Sequence, residues 1–147
     1  MIQGIIFDWA GTLSQGSRNL FPHSERVLIE LRKRGYKLGL VSLAGHGNEK
    51  RWEDLRETGV IKYFDSIKVE STKTAEIYLE CIKELGLTTE TTVIVDDRVL
   101  RGISIGKKLS CQTYWIQTGP YSHELPTKET GEPTKRINSV EDLLIIF

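Results

Sequence analysis

Five short apolar runs, each closed by a polar residue and followed by a helical stretch, leave this chain very few architectures. The runs cover about residues 2–7, 36–41, 66–69, 92–95 and 113–116. Strands that alternate with helices build a parallel sheet with helices on both faces. The first run, ending Ile5-Ile6-Phe7, is apolar nearly throughout, as a central strand covered on both sides should be. Between the runs the period changes. Val27, Leu28 and Leu31 make one stripe after Pro22 and stop at Gly35. A short helix carries Trp52 and Leu55 and ends at Gly59. Ala75, Tyr78, Leu79, Ile82 and Leu85 recur three and four apart and close at Gly86. Residues 98–109 read as a helix, and Ser139 can cap a last one bearing Val140, Leu143, Leu144 and Phe147. Residues 117–137 hold Pro120, Pro126 and Pro133 without periodicity and read as a long loop. The expected fold is α/β: a three-layer sandwich with a Rossmann-like, mostly parallel, five-stranded sheet and helices on both faces. At 147 residues it is expected to be one domain over 1–147.

Composition narrows the partners. The 20 Lys and Arg balance the 20 Asp and Glu, so no basic excess calls for nucleic acid or an anionic membrane. The apolar run at the start ends at Asp8, too short for a signal peptide, and no later stretch is long enough to span a bilayer. Cys81 and Cys111 are far apart in apolar surroundings and read as core residues of a reduced, cytoplasmic protein.

In a parallel sheet the C-terminal ends of the strands share one edge, where open α/β sheets place their chemistry. The residues there are Asp8, Ser42, the turn with Lys73, and Asp96-Asp97. They converge although far apart in sequence. Carboxylates, a hydroxyl and an amine in one place suit an anionic substrate held with a divalent cation. Each also has a plain reading: Ser42 as a strand-end cap, Lys73 as a solvated lysine, Asp97 as the cap of a helix near Arg98. Trp9 stacks on substrate or packs beside the strand, and His46, between glycines, reads as a solvated histidine.

The order of these residues resembles the haloacid dehalogenase superfamily of phosphotransferases and hydrolases. Asp8-Trp9-Ala10-Gly11-Thr12 is similar to its first motif, Asp-x-Asp-x-Thr, and Ser42 to its second. Lys73-Thr74-Ala75-Glu76-Ile77-Tyr78 is similar to its third. Val95-Asp96-Asp97, with Ile103, Lys107 and Thr113-Tyr114-Trp115-Ile116, matches the register of its fourth. The resemblance runs from about residue 2 to 118. It implies a core domain whose Asp8 attacks phosphorus and passes through an aspartyl-phosphate. It implies Mg²⁺ on the Asp8 carboxylate, the Ala10 carbonyl and Asp97, an oxygen-only shell suited to that ion. Ser42, the Leu43 amide and Lys73 would bind phosphate, with Thr12 grouped beside them as support of the turn. Lys73 would also neutralise Asp8 during catalysis. Asp96 would orient the water around the metal or bond the loop.

Two departures shape the functional expectation. The acid/base of the first motif is here Ala10, worth roughly 10²–10⁴-fold in rate. The second acid of the fourth motif is replaced near Gly102. Asp-Trp-Ala-Gly-Thr is also similar to the first motif of phosphonoacetaldehyde hydrolases, which need a lysine from a helical cap. Only one helix fills the interval between Asp8 and Ser42, so a cap is not expected. The expectation is a capless, slow, Mg²⁺-dependent phosphohydrolase acting on a phosphorylated small molecule or macromolecule. The alternatives are a non-catalytic relative binding a phosphorylated ligand or protein, and a phosphonate or halide hydrolase. The 117–136 loop is expected to cover the site in part or to make a homo-oligomer contact.

Overall fold

The computed structural model describes residues 1–147. Its strands are β1 (Gly4–Phe7), β2 (Lys37–Leu43), β3 (Ser66–Glu70), β4 (Thr92–Asp96), β5 (Gln112–Ile116) and β6 (Lys135–Ile137). They form one sheet in the order β3-β2-β1-β4-β5-β6, with every neighbouring pair parallel. The helices are α1 (Ser24–Lys33), α2 (Asn48–Thr58), α3 (Ala75–Glu84), α4 (Ser104–Lys108) and α5 (Leu143–Ile146).

Side chains alternate across a strand, so β1 feeds two cores. Ile5 and Phe7 pack with Val27, Leu28 and Leu31 of α1, Leu55 of α2 and Leu143 of α5. Ile6 packs on the other face with Val41, Ile94 and the α3 residues Tyr78, Cys81 and Ile82. The three-layer expectation is met. The first core holds 20 buried residues and the second 8, so the α3 flank is the thinner layer. Cys81 and Cys111 are free and buried. No helix is long and apolar enough to cross a membrane.

The sheet has six strands rather than five. β6 lies inside the stretch expected to be loop, and its Tyr114↔Lys135 and Ile116↔Ile137 pairs extend the β5 edge. Only Ile137 of its three residues is buried, so no apolar run marks it. Lys135 and Arg136 suit an edge strand, where charge discourages pairing with another chain. The 98–109 helix is broken. A π-type turn spans Val99–Ile103, with Arg101 at φ −118° and ψ −105°, and only Ser104–Lys108 is α-helical. On α3, Leu79 is 44% exposed, whereas Cys81 takes a place in the core. β2 runs on to Leu43, one residue past Ser42.

The register brings the site together. Phe7 pairs with Leu40 on one side and Val95 on the other. The ends of β2, β1 and β4 therefore stand side by side.

Candidate active site

Asp8 leaves β1 while its amide still donates to Val95 O at 3.0 Å. The chain then turns sharply. The amides of Thr12, Leu13 and Ser14 all donate to Trp9 O, and Gly11 has a φ of +85°. Glycine is required at 11 for a second reason: a Cβ there would lie 2.1 Å from Asp97 Oδ2. Trp9 is fully buried and donates through its indole N–H to Ser17 O at 2.7 Å, so it packs beside the strand and anchors the following loop. No hydrogen bond is made to the Ala10 carbonyl.

Lys73 reaches the same point from the turn before α3, whose N-cap Thr74 accepts from the Ile77 amide. Lys73 Nζ donates to Asp8 Oδ1 at 2.7 Å and to Asp96 Oδ2 at 3.1 Å. Its side chain is 3% exposed. Burial alone would lower its pKa, but Asp8 and Asp96 outweigh that and hold it well above the ordinary lysine value.

The Asp96 carboxylate is a partner of the loop. Its Oδ1 accepts from the Arg98 amide and its Oδ2 from the Gly102 amide, both at 3.0 Å. A Cβ at position 102 would come within 2.3 Å of that Oδ2. Gly102, near the place where the second acid of the fourth motif is missing, thus leaves room for the Asp96 carboxylate.

Asp97 is different. It is almost fully buried, yet its Oδ1 has no partner. Asp8, Asp96 and Asp97 each offer an oxygen within 4.8 Å of the others. Burial first and repulsion by Asp8 and Asp96 next push Asp97 up to about 8. Asp8 is raised to about 6 by burial and Asp96, held back by Lys73. An orphaned carboxylate oxygen, a free carbonyl at Ala10 and crowded acids are the donor set of a hard divalent cation, so the residues fit Mg²⁺.

Beside this group lies a cavity of about 110 Å³, lined by Asp8, Ala10, Ser42, Leu43 and Asp97 together with Arg51, Arg98, Arg101 and Tyr121. Ser42 Oγ donates only to Leu43 O, at 2.9 Å, and can turn to a ligand. Thr12 is not on this cavity. Its hydroxyl donates to Asp8 Oδ2 at 3.4 Å, so in this structure it supports the Asp8 carboxylate. A second cavity of about 420 Å³ shares Ala10, Asp97 and Tyr121 with the first and adds Gln15, Phe21, Thr118 and Pro120. His46 is exposed.

Four residues of this setting escape a reading by strand ends. Arg98 is gripped by Glu124 at 2.9 Å and its guanidinium carbon lies 3.8 Å from the centre of the Tyr121 ring. Glu124 also accepts from the Leu100 amide at 2.8 Å. The 117–126 segment is thereby tied over the β4 end, and Tyr121 walls both cavities. Arg51, in the first turn of α2, has Nε and Nη1 buried without a partner, and burial lowers its pKa.

Comparison with known proteins agrees with this geometry. The chain is 34% identical over 131 residues to a glyceraldehyde 3-phosphate phosphatase of Methanocaldococcus jannaschii, covering 86% of this chain and 55% of that one. A similar phosphatase of Methanopyrus kandleri is 28% identical over 129 residues, 84% of this chain and 54% of its own. The chain spans about half the length of these relatives. Its fold resembles that of a D,D-heptose 1,7-bisphosphate phosphatase from B. bronchiseptica, solved with magnesium and phosphate. The TM-score is 0.73 at 15% identity, covering 99% and 100% of the two chains. Residues 1–116, which carry the ends of β1, β2 and β4, match the description haloacid dehalogenase-like hydrolase, and the chain belongs to that family.

Proposed function

We propose that the chain is a phosphohydrolase that uses Asp8 as nucleophile on a phosphorylated small molecule. The observation that carries the reading is the setting of Asp8. Lys73 bonds its carboxylate, while Asp97, with its partnerless oxygen, and Ala10, with its unbonded carbonyl, line the same cavity. Asp8, Asp97 and the Ala10 carbonyl would hold Mg²⁺. When bound, that ion screens the charge between a carboxylate and a phosphate dianion.

The phosphoryl group seats in the 110 Å³ cavity, where Ser42 and Leu43 meet it. Asp8 forms a bond to phosphorus as the bond to the leaving oxygen breaks, giving an aspartyl-phosphate. Lys73 keeps Asp8 ionised and neutralises charge as it shifts to the phosphoryl oxygens. Water then attacks the acyl phosphate, releases inorganic phosphate and returns Asp8 as a carboxylate. The leaving group occupies the 420 Å³ cavity, where Ala10 offers it no proton. The alcohol must take its proton from water, which costs roughly 10²–10⁴-fold, or about 3–5 kcal/mol of barrier. Glyceraldehyde 3-phosphate, which the names of the relatives carry, is the first substrate to try.

A panel of phosphate esters, including that triose phosphate, tested with and without Mg²⁺ decides the matter. Turnover that needs Mg²⁺ and vanishes in Asp8→Asn is expected. Absence of turnover, with phosphate still bound tightly, would favour the second reading, a binding protein of this fold. The observation on that side is Ala10.

A further inference from the structure

We propose that Arg51 is a catalytic residue of this site, clamping the phosphoryl group as it is transferred. The inference rests on the phosphohydrolase reading and adds a residue to it. A guanidinium keeps its charge at any ordinary pH and carries five donors. Buried charges are almost always paired, because an unpaired one forfeits its hydration for nothing. Arg51 is half-buried, and on its buried side neither Nε nor Nη1 has an acceptor. The acid next to it on α2, Asp54, is taken by Lys50 at 3.0 Å. Arg98, its neighbour on the cavity wall, is held by Glu124; Arg51 and Arg101 carry no ion pair, and of these two only Arg51 has buried donor nitrogens without an acceptor.

Its place is made by the backbone. Gly45 has a φ of +64°, and a Cβ there would lie 2.7 Å from Arg51 Nη2. The glycine after β2 therefore lets the guanidinium lie against the loop and face the cavity that holds Asp8 and Ser42. That cavity, about 110 Å³, is small beside the neighbouring one of about 420 Å³, and its size suits the phosphoryl group rather than the whole ester.

Charge selects the same ligand. The cavity wall carries Asp8 and Asp97 against Arg51, Arg98 and Arg101, with Lys73 bonded to Asp8 behind it. The cations outnumber the acids, so an anion completes the wall, and Arg51, which has no acceptor of its own, takes the transferred group as its partner. In phosphoryl transfer, charge spreads over three equatorial oxygens. A planar fork that can bond two of them binds this arrangement better than a single ammonium does. Arg51 stabilises the phosphoryl oxygens and leaves the proton demand of the alcohol, set by Ala10, untouched.

The test uses the full chain with Mg²⁺ and p-nitrophenyl phosphate, comparing wild type with Arg51→Lys and Arg51→Met. The expected kcat loss for Arg51→Met is roughly 10²–10³-fold, as for removal of one preorganised donor group elsewhere. KM should change far less, and inhibition by orthovanadate, a mimic of the five-coordinate state, should weaken more than inhibition by inorganic phosphate. Arg51→Lys should recover only part of kcat. Melting curves without ligand check that both variants are folded. Folded variants with wild-type kcat and vanadate sensitivity would overturn the role of Arg51 alone. A wild type that turns over no ester and ignores both phosphate and vanadate would overturn the phosphohydrolase reading, and this inference with it.

Discussion

Ala10 supplies a backbone oxygen and withholds a side chain. Its exposed methyl faces both cavities, and Trp9, which could have filled the space, points into the core. Ala10→Asp should therefore put a carboxyl beside the leaving oxygen while Asp8, Ser42, Lys73 and Asp97 stay in place. Hydrolysis of an ester with an alkoxide leaving group is expected to rise roughly 10²-fold or more. The gain on p-nitrophenyl phosphate, whose leaving group needs little protonation, should be smaller. Rates of both variants on both esters check this, with melting curves to confirm folding. A folded, Mg²⁺-binding variant with no gain on the alkoxide ester would show that more than one acid is missing. At this scale the sequence is uneven evidence. Asp8, Ser42, Lys73 and Asp97 are legible because strand ends announce them. Arg51 is not, since Asn48-Glu49-Lys50-Arg51-Trp52-Glu53-Asp54 reads as a solvated helical face. Only the approach of Gly45 and the lack of a partner single it out. Asp96 reads as a neighbour of the motif aspartate, and its bond to Lys73 appears only when Gly102 is seen to leave room.

Among the elements, the connection from β5 to β6 departs most from a plain loop. Thr118 Oγ1 donates to Asn138 O at 3.0 Å, and Thr134 and Thr113 exchange bonds near the far end. Between them, Glu124 and Tyr121 hold Arg98. The prolines and the loop's length point to cover over the site, and the position of Tyr121 agrees. The strand inside the segment and the π-type turn that receives it are invisible to periodicity, because β6 is three residues long and buries one. Glu124→Ala should free Arg98 and the Leu100 amide without touching either core. Faster hydrogen exchange across 118–125 and a several-fold higher KM are expected, with a melting temperature within about 2–4 °C of wild type. Unchanged exchange in that segment would mean that Pro120 and Thr118 hold it unaided.

For the molecule as a whole, the crowded acids at the site cost stability as they ionise. In the metal-free protein Asp97 is pushed up to about 8 and Asp8 to about 6, and both return to the ordinary carboxylate value on unfolding. The folded state then holds more protons than the unfolded state between those limits. Raising the pH from about 4 to about 8 must therefore lower stability. Melting in a chelator at about pH 5 and about pH 8 should show the fall. Added Mg²⁺ should raise the melting temperature more at the higher pH, and Asp97→Asn should flatten the chelator profile. A flat profile for wild type would refute the crowding of these acids. The layered fold, unlike this balance, is largely legible in advance, since burial on both faces of β1 and the stripes of α1 and α3 are written as apolar spacing. Coulombic crowding depends on distances across the sheet that no spacing records. The thinner layer has one further effect. Lys73 stands at the head of α3, the helix backed by the smaller core. Should that flank fray while the α1 side stays folded, the ammonium withdraws from Asp8 and Asp96 together, and three acids are left facing one another. The lysine is then a latch as well as a counter-charge: the site is disarmed by a local opening that leaves most of the protein intact.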